Sequence, residues 1–165
     1  MGRTLDDMSG TLTPARRCTV DTRSRELIAE ELARSPSKVV LAEKLAKFST
    51  HFDPKIVGEL NGQHIKLVKF QGEFVWHQHE QEDEMFLVIS GVLEMQFRDR
   101  TERVGEGEFI IVPRGVEHCP KAEHEVALML FEPAGTVNTG TAGGEKTVAA
   151  PEWLQAVVPA KGSGS

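Results

Sequence analysis

Three histidines and one glutamate stand at spacings that suit a metal centre. In the stretch His77-Gln78-His79-Glu80-Gln81-Glu82-Asp83-Glu84, two histidines are separated by one residue and a glutamate follows. On a β-strand alternate side chains share a face, so His77 and His79 point one way and Gln78 the other. Glu84, on a neighbouring strand, adds a carboxylate. A third imidazole, His118, closes a second marked segment that runs from Gly107 through Pro113 and Gly115. Three neutral imidazoles and one carboxylate suit a first-row divalent metal (Fe, Mn, Ni, Zn, Co or Cu), one per subunit. In an octahedral ion they leave about two positions open for water or substrate.

The two segments resemble the paired motifs of the cupin superfamily. The first family motif reads G-x5-H-x-H-x3-4-E-x6-G, and His77, His79, Glu84 and Gly91 match it. The second reads G-x5-P-x-G-x2-H-x3-N, and Gly107, Pro113, Gly115 and His118 fall in register. Two departures stand out: Gly72 lies one residue too close to His77, and Ala122 replaces the final asparagine. Neither position supplies a metal ligand in the family. The resemblance covers residues 50 to 133 and implies an all-β fold, a single antiparallel jelly-roll barrel of the small, single-domain cupin class. The family includes dioxygenases, isomerases, lyases and non-catalytic binding members, so the fold does not choose the reaction.

A chain of 165 residues suits one compact domain. A net charge of −6 argues against a nucleic-acid or anionic-membrane surface. The absence of a long apolar run argues against a membrane span, and the amino terminus has no signal-peptide pattern. Two cysteines a hundred residues apart suggest no disulfide framework, and the expectation is a cytoplasmic protein.

The elements that must position the four ligands follow from periodicity. Residues 1–38 read as an N-terminal arm with one helix from Ser24 to Arg34, residues 39–158 as a single cupin domain, and residues 159–165 as a flexible tail. Val40, Leu41, Leu45 and Phe48 make a second helical stripe ending near Thr50. From Ile56 the period falls to two, and Asn61-Gly62 between two alternating runs predicts a hairpin. Strands are expected around Phe74 to His79, Met85 to Ile89, Val92 to Phe97, Phe109 to Val112 and Val126 to Phe131. Residues 132–146 read as loop, and Pro151 to Ala156 as a short closing helix. Met85 to Ile89 and Phe109 to Val112 are apolar on both faces, so a second copy should cover one face and make a homodimer.

Phe86, Met95, Phe97 and His124 are candidates for substrate binding, although plain core or surface roles compete at each. The parity that decides between Met95 with Phe97 and Gln96 with Arg98 depends on hairpin register. Trp76 should face away from the histidines, and Cys119 should be a buried, inert thiol. His51 and His64 read as surface or rim residues. Tyrosine is absent, so any proton transfer falls to His, Glu, Lys, Cys or water. The expected function is a metalloenzyme of oxygenase or isomerase and lyase type acting on a small polar organic molecule. The alternative is a non-catalytic small-molecule-binding or sensor module, told apart by whether the open metal positions sit in a closed apolar shell or a wide mouth.

Overall fold

The computed structural model describes residues 38–154; the expected helix from Ser24 to Arg34, Cys18 and the C-terminal tail lie outside them. Eight strands follow one short helix: α1 (Leu41–Leu45), β1 (Lys55–Leu60), β2 (Gln63–Glu73), β3 (Glu84–Ser90), β4 (Val92–Phe97), β5 (Thr101–Gly105), β6 (Phe109–Val112), β7 (His118–Pro133) and β8 (Glu152–Trp153). No described helix is long and apolar enough to cross a membrane.

The jelly roll is built around β7. Its first residues pair with β4, from Phe97 opposite His118 to Glu94 opposite Lys121. Its later residues pair with β3, Met85 opposite Phe131 through Ser90 opposite Ala127. The other edge of β7 runs along β2. One strand can serve both sheets only if it bends, and the bend sits where Phe70 pairs with Val126 and Gly72 with Ala122. Glu123, His124 and Glu125 are exposed at this bulge, which locally breaks the ladder and turns the strand. The two motif departures, Gly72 and Ala122, are thus opposite one another at the corner.

The expected hairpin forms: Leu60 pairs with Gln63 across Asn61 and Gly62, whose φ values of 53° and 75° suit the primed turn. Met95 and Phe97 face inward with Leu93, packing against Val68, Phe86 and Leu128 in one core. The hairpin register thereby selects them over Gln96 and Arg98.

Three expectations change. The second helical stripe yields a single turn, Leu41–Leu45, because Val40 offers no side-chain cap and one turn alone is marginal. Pro151 to Ala156 was expected to close the fold as a helix, but Glu152 and Trp153 instead pair in parallel with Lys55 and Ile56, and Leu154 N–H donates to the Ile56 carbonyl. Extending β1's ladder satisfies backbone groups that a six-residue helix would leave open at both ends. The Phe74 to His79 strand is an extended segment with one bridge, His77 to His118.

The sequence pattern concealed a buried ion pair. Lys66 and Glu132 occupy inward positions of β2 and β7, each 1% exposed, with Nζ 2.7 Å from Oε1. Lys66 also donates to the Thr136 carbonyl at 3.2 Å. Removing one partner of such a pair is more damaging than replacing both. Lys66→Met should therefore lower stability by about 3 kcal/mol, and Lys66→Met with Glu132→Leu should recover most of it. Thermal unfolding of the two variants checks the order.

Candidate metal centre

The four ligand candidates converge in the barrel interior. His77 and His118 lie on facing segments joined by reciprocal backbone hydrogen bonds: His77 N–H donates to the His118 carbonyl at 3.0 Å, and His118 N–H to the His77 carbonyl at 2.9 Å. Their ring centroids are 4.3 Å apart. His79 follows on the same face as His77, and the Gly115 N–H holds its carbonyl at 2.7 Å. Glu84 is the first residue of β3, inward beside Phe86. The Pro113 to Gly115 corner is pinned to the loop before Glu84 by Arg114 N–H donating to Asp83 Oδ1 at 2.9 Å. Loop residues over the site also pack tightly. Gly140 lies so close to the Gln78 carbonyl that a Cβ there would come within 2.2 Å of it, and Thr141 N–H donates to that carbonyl at 3.1 Å.

All four donor atoms lie within 4.8 Å of one another, and all four residues are buried. His77 Nδ1 lies 2.9 Å from the Val75 carbonyl and His118 Nδ1 3.0 Å from the Val116 carbonyl. A carbonyl only accepts, so each Nδ1 carries the proton and each Nε2 presents a lone pair inward. His79 Nε2, His118 Nε2 and Glu84 Oε2 are buried without a hydrogen-bond partner. The 3.3 Å approach of His79 Nε2 to Glu84 Oε2 lies outside hydrogen-bond angles. Buried polar atoms are normally answered; lone pairs aimed at one point are answered by a cation. The residues fit a divalent transition metal.

The electrostatics agree. Burial pushes the His77 imidazole down to about 4, keeping it a neutral ligand through the physiological range. Burial also opposes a charge on Glu84, but His118 and His79 outweigh it and hold the carboxyl well below its usual range. For His79 burial disfavours the imidazolium, yet the Glu84 carboxylate prevails and raises its pKa. The Glu132 carboxyl is raised, first by burial and then by the charge of Glu84, against the pull of Lys66.

Beside the ligands lies a narrow cavity of about 10 Å³, bounded by His77, Glu84, Phe86 and the rings of Phe52, Phe70 and Phe74. Of the four substrate-binding candidates, Phe86 is on this wall, with its ring 6.0 Å from His118. Met95 and Phe97 belong to the core and are not on the wall; His124 is exposed at the β7 bulge, where the corner turns it away from the interior. Phe52, Phe70, Phe74 and Asn138 escaped sequence reasoning. The period-two run of its strand puts Phe70 on the same face as Val68, a signal that could have found it, but nothing local places Phe52 or Asn138 there.

On the outer side, Trp76 turns away from the ligands as expected. The Arg98 guanidinium lies 3.9 Å over its ring and grips Glu117 at 2.6 and 2.7 Å. Trp76 and Glu117 immediately precede His77 and His118, so this exposed clip spans the back of the ligand bridge. Cys119 is buried, and burial pushes its thiol up to about 11, an inert group as expected.

A family model for the cupin domain matches residues 65–132. The chain is 41% identical to a cupin-2 domain containing protein from Shewanella frigidimarina, covering 58% of this chain and 93% of that one, with a TM-score of 0.57. This chain belongs to the cupin superfamily. A protein from Neisseria meningitidis is 29% identical over 59% of this cupin and 100% of its own chain, with a TM-score of 0.56. The uncharacterized protein YdbB of Bacillus subtilis is 34% identical over 77 residues, and the match spans 46% of this cupin and 62% of YdbB.

Metal and proton compete for His79. Because Glu84 raises the His79 pKa, affinity should fall as pH drops through that raised value, and loading near neutrality should release a proton. Calorimetric zinc titrations in buffers of different ionisation enthalpy should give a heat that varies with buffer; a buffer-independent heat would count against the His79 and Glu84 coupling.

Proposed function

We propose that this cupin is a metalloenzyme of oxygenase or isomerase and lyase type, acting on a small organic molecule at a divalent centre held by His77, His79, Glu84 and His118. The observation that supports the proposal is the convergence of buried, unanswered donor atoms beside a narrow, largely apolar cavity. Narrow apolar surroundings of this kind support chemistry over sensing, for which a wide mouth would be better suited. When bound, the metal supplies Lewis-acid polarisation of an oxygen donor. The chain's own residues do the rest. The Val75 and Val116 carbonyls orient two ligands, Glu84 lowers the charge of the centre, and the phenyl rings exclude water. With no tyrosine and an inert Cys119, proton transfer falls to the His and Glu side chains or to Lys.

Metal analysis of protein incubated separately with Fe, Mn, Ni, Zn, Co and Cu should give about one ion per subunit with at least one of them. His79→Ala should lose at least about 100-fold in affinity, together with the heat stability that metal adds, about 2.7 kcal/mol at a hundredfold excess over Kd. Protein that stays metal-free with every ion would refute the site. Glu84→Gln keeps the shape and removes the charge. It should retain part of the metal while losing about 100-fold in turnover in a screen of oxygen consumption and isomerisation; a pure affinity effect, with no product from the metallated wild type, would favour a binding module.

The partner in the assembly is a second copy of this chain. Phe109 and Ile111 are 59% and 56% exposed, opposite Leu87 and Met85 on the outer face of β3 and β6. Among the described residues β6 pairs with β3 alone, leaving one edge open. A groove of about 700 Å³ beside it carries Arg100, Arg103, Glu102 and Glu108, a mixture of signs that a two-fold axis can pair with itself. Light scattering should give a dimer mass at micromolar concentration, and Phe109→Glu with Ile111→Lys a monomer. A monomeric wild type would overturn this assignment.

A further inference from the structure

The cavity at the metal site is too small for any organic molecule. A volume of about 10 Å³ is room for roughly one water. On this side of the centre, part of the wall must therefore give way before a substrate reaches His77 and Glu84. Most of the wall is strand, proline or fully buried ring; Phe52 and Asn138 are its two half-buried members.

Phe52 is the less firmly held of the two. It sits outside the strands with a φ of 60°, a left-handed conformation that a bulky residue rarely adopts without cause. Its backbone is tied by its N–H to the Lys69 carbonyl at 2.9 Å and by a long 3.5 Å contact from Asn138 Nδ2 to its carbonyl. Asn138 is better anchored: its Nδ2 donates to the Lys146 carbonyl at 2.9 Å, and its Oδ1 accepts from Val148 N–H at 2.8 Å.

The place occupied by the Phe52 ring has a distinctive chemistry. One face stacks on Phe74, centroids 5.4 Å apart at 24°, with Phe70 tilted at 5.0 Å. The Lys146 ammonium lies 4.2 Å from the ring centroid, held by donating to the Glu73 carbonyl. Phe74 in turn meets the ligand His77 edge-on at 5.4 Å. A slot between an aromatic face and a fixed cation, opening towards a metal, suits a flat, electron-rich ring with an oxygen donor.

Resting on the metal-centre reading above, we infer that Phe52 is a displaceable plug occupying the slot for a planar, unsaturated, anionic oxygen-donor ligand, with Phe74 and Lys146 forming the slot. The expectation of a small polar substrate is thereby narrowed to one whose polar end meets the metal and whose ring meets the phenyl groups.

The test uses full-length cobalt-loaded protein, titrated with salicylate and with its saturated counterpart, 2-hydroxycyclohexanecarboxylate, and followed by the visible cobalt spectrum. A plug reduces apparent affinity by the fraction of time it is out, so Phe52→Ala should bind salicylate about tenfold more tightly than wild type. It should also yield cobalt faster to excess EDTA. Lys146→Met should weaken salicylate about fivefold and leave the saturated acid unchanged. Phe52→Leu, which keeps apolar bulk, substitutes if the alanine variant does not fold, and should give the same direction. Equal salicylate affinity in wild type and the Phe52 variant, or equal affinity for the two acids, overturns the plug while leaving the metal centre intact. Failure of the wild type to bind cobalt, with none of the other metals bound either, overturns both.

Discussion

Three imidazole or carboxylate atoms held in a dry interior without a hydrogen-bond donor would cost the fold several kcal/mol if nothing answered them. His79 Nε2, His118 Nε2 and Glu84 Oε2 are in this position, and much of the barrel serves to keep them there. The reciprocal backbone bonds between His77 and His118, the carbonyls of Val75 and Val116, and the Gly115 contact to His79 all act on ligand geometry. A bound cation would reverse the sign of this cost and would couple the site to the stability of the whole domain.

The same constraint accounts for the second buried charge system. Glu132 sits at an inward position of β7, where the charge of Glu84 repels it, and Lys66 partly offsets that repulsion from β2. A divalent ion on Glu84 would weaken the repulsion. Metal centre and ion pair are therefore electrostatically linked across the barrel interior.

The apolar wall has a different logic. Phe52, Phe70 and Phe74 leave room for little water beside the centre, which strengthens the charge interactions within it. The same packing leaves no room beside the centre for an organic molecule. A strained loop residue on an otherwise rigid strand wall is a place where opening need not break a β-ladder.

Much was legible in residue order. The period-two runs and Asn61-Gly62 specified strands and a hairpin because their signals are local. His77, His79, Glu84 and His118 were legible because side-chain alternation places both histidines of the first pair on one face, and because the two motifs stood in register. Trp76 and Cys119 followed from the same alternation. Tertiary structure alone decided the rest. Met95 and Phe97 turned inward through ladder register, and His124 was put outside by a bulge whose position depends on pairing with β2. Glu152 and Trp153 became strand because β1 had a free edge. Lys66 meets Glu132 and Thr136, and Phe52 meets Asn138, across 60 or more residues; contacts of that span leave no periodic trace in a single sequence.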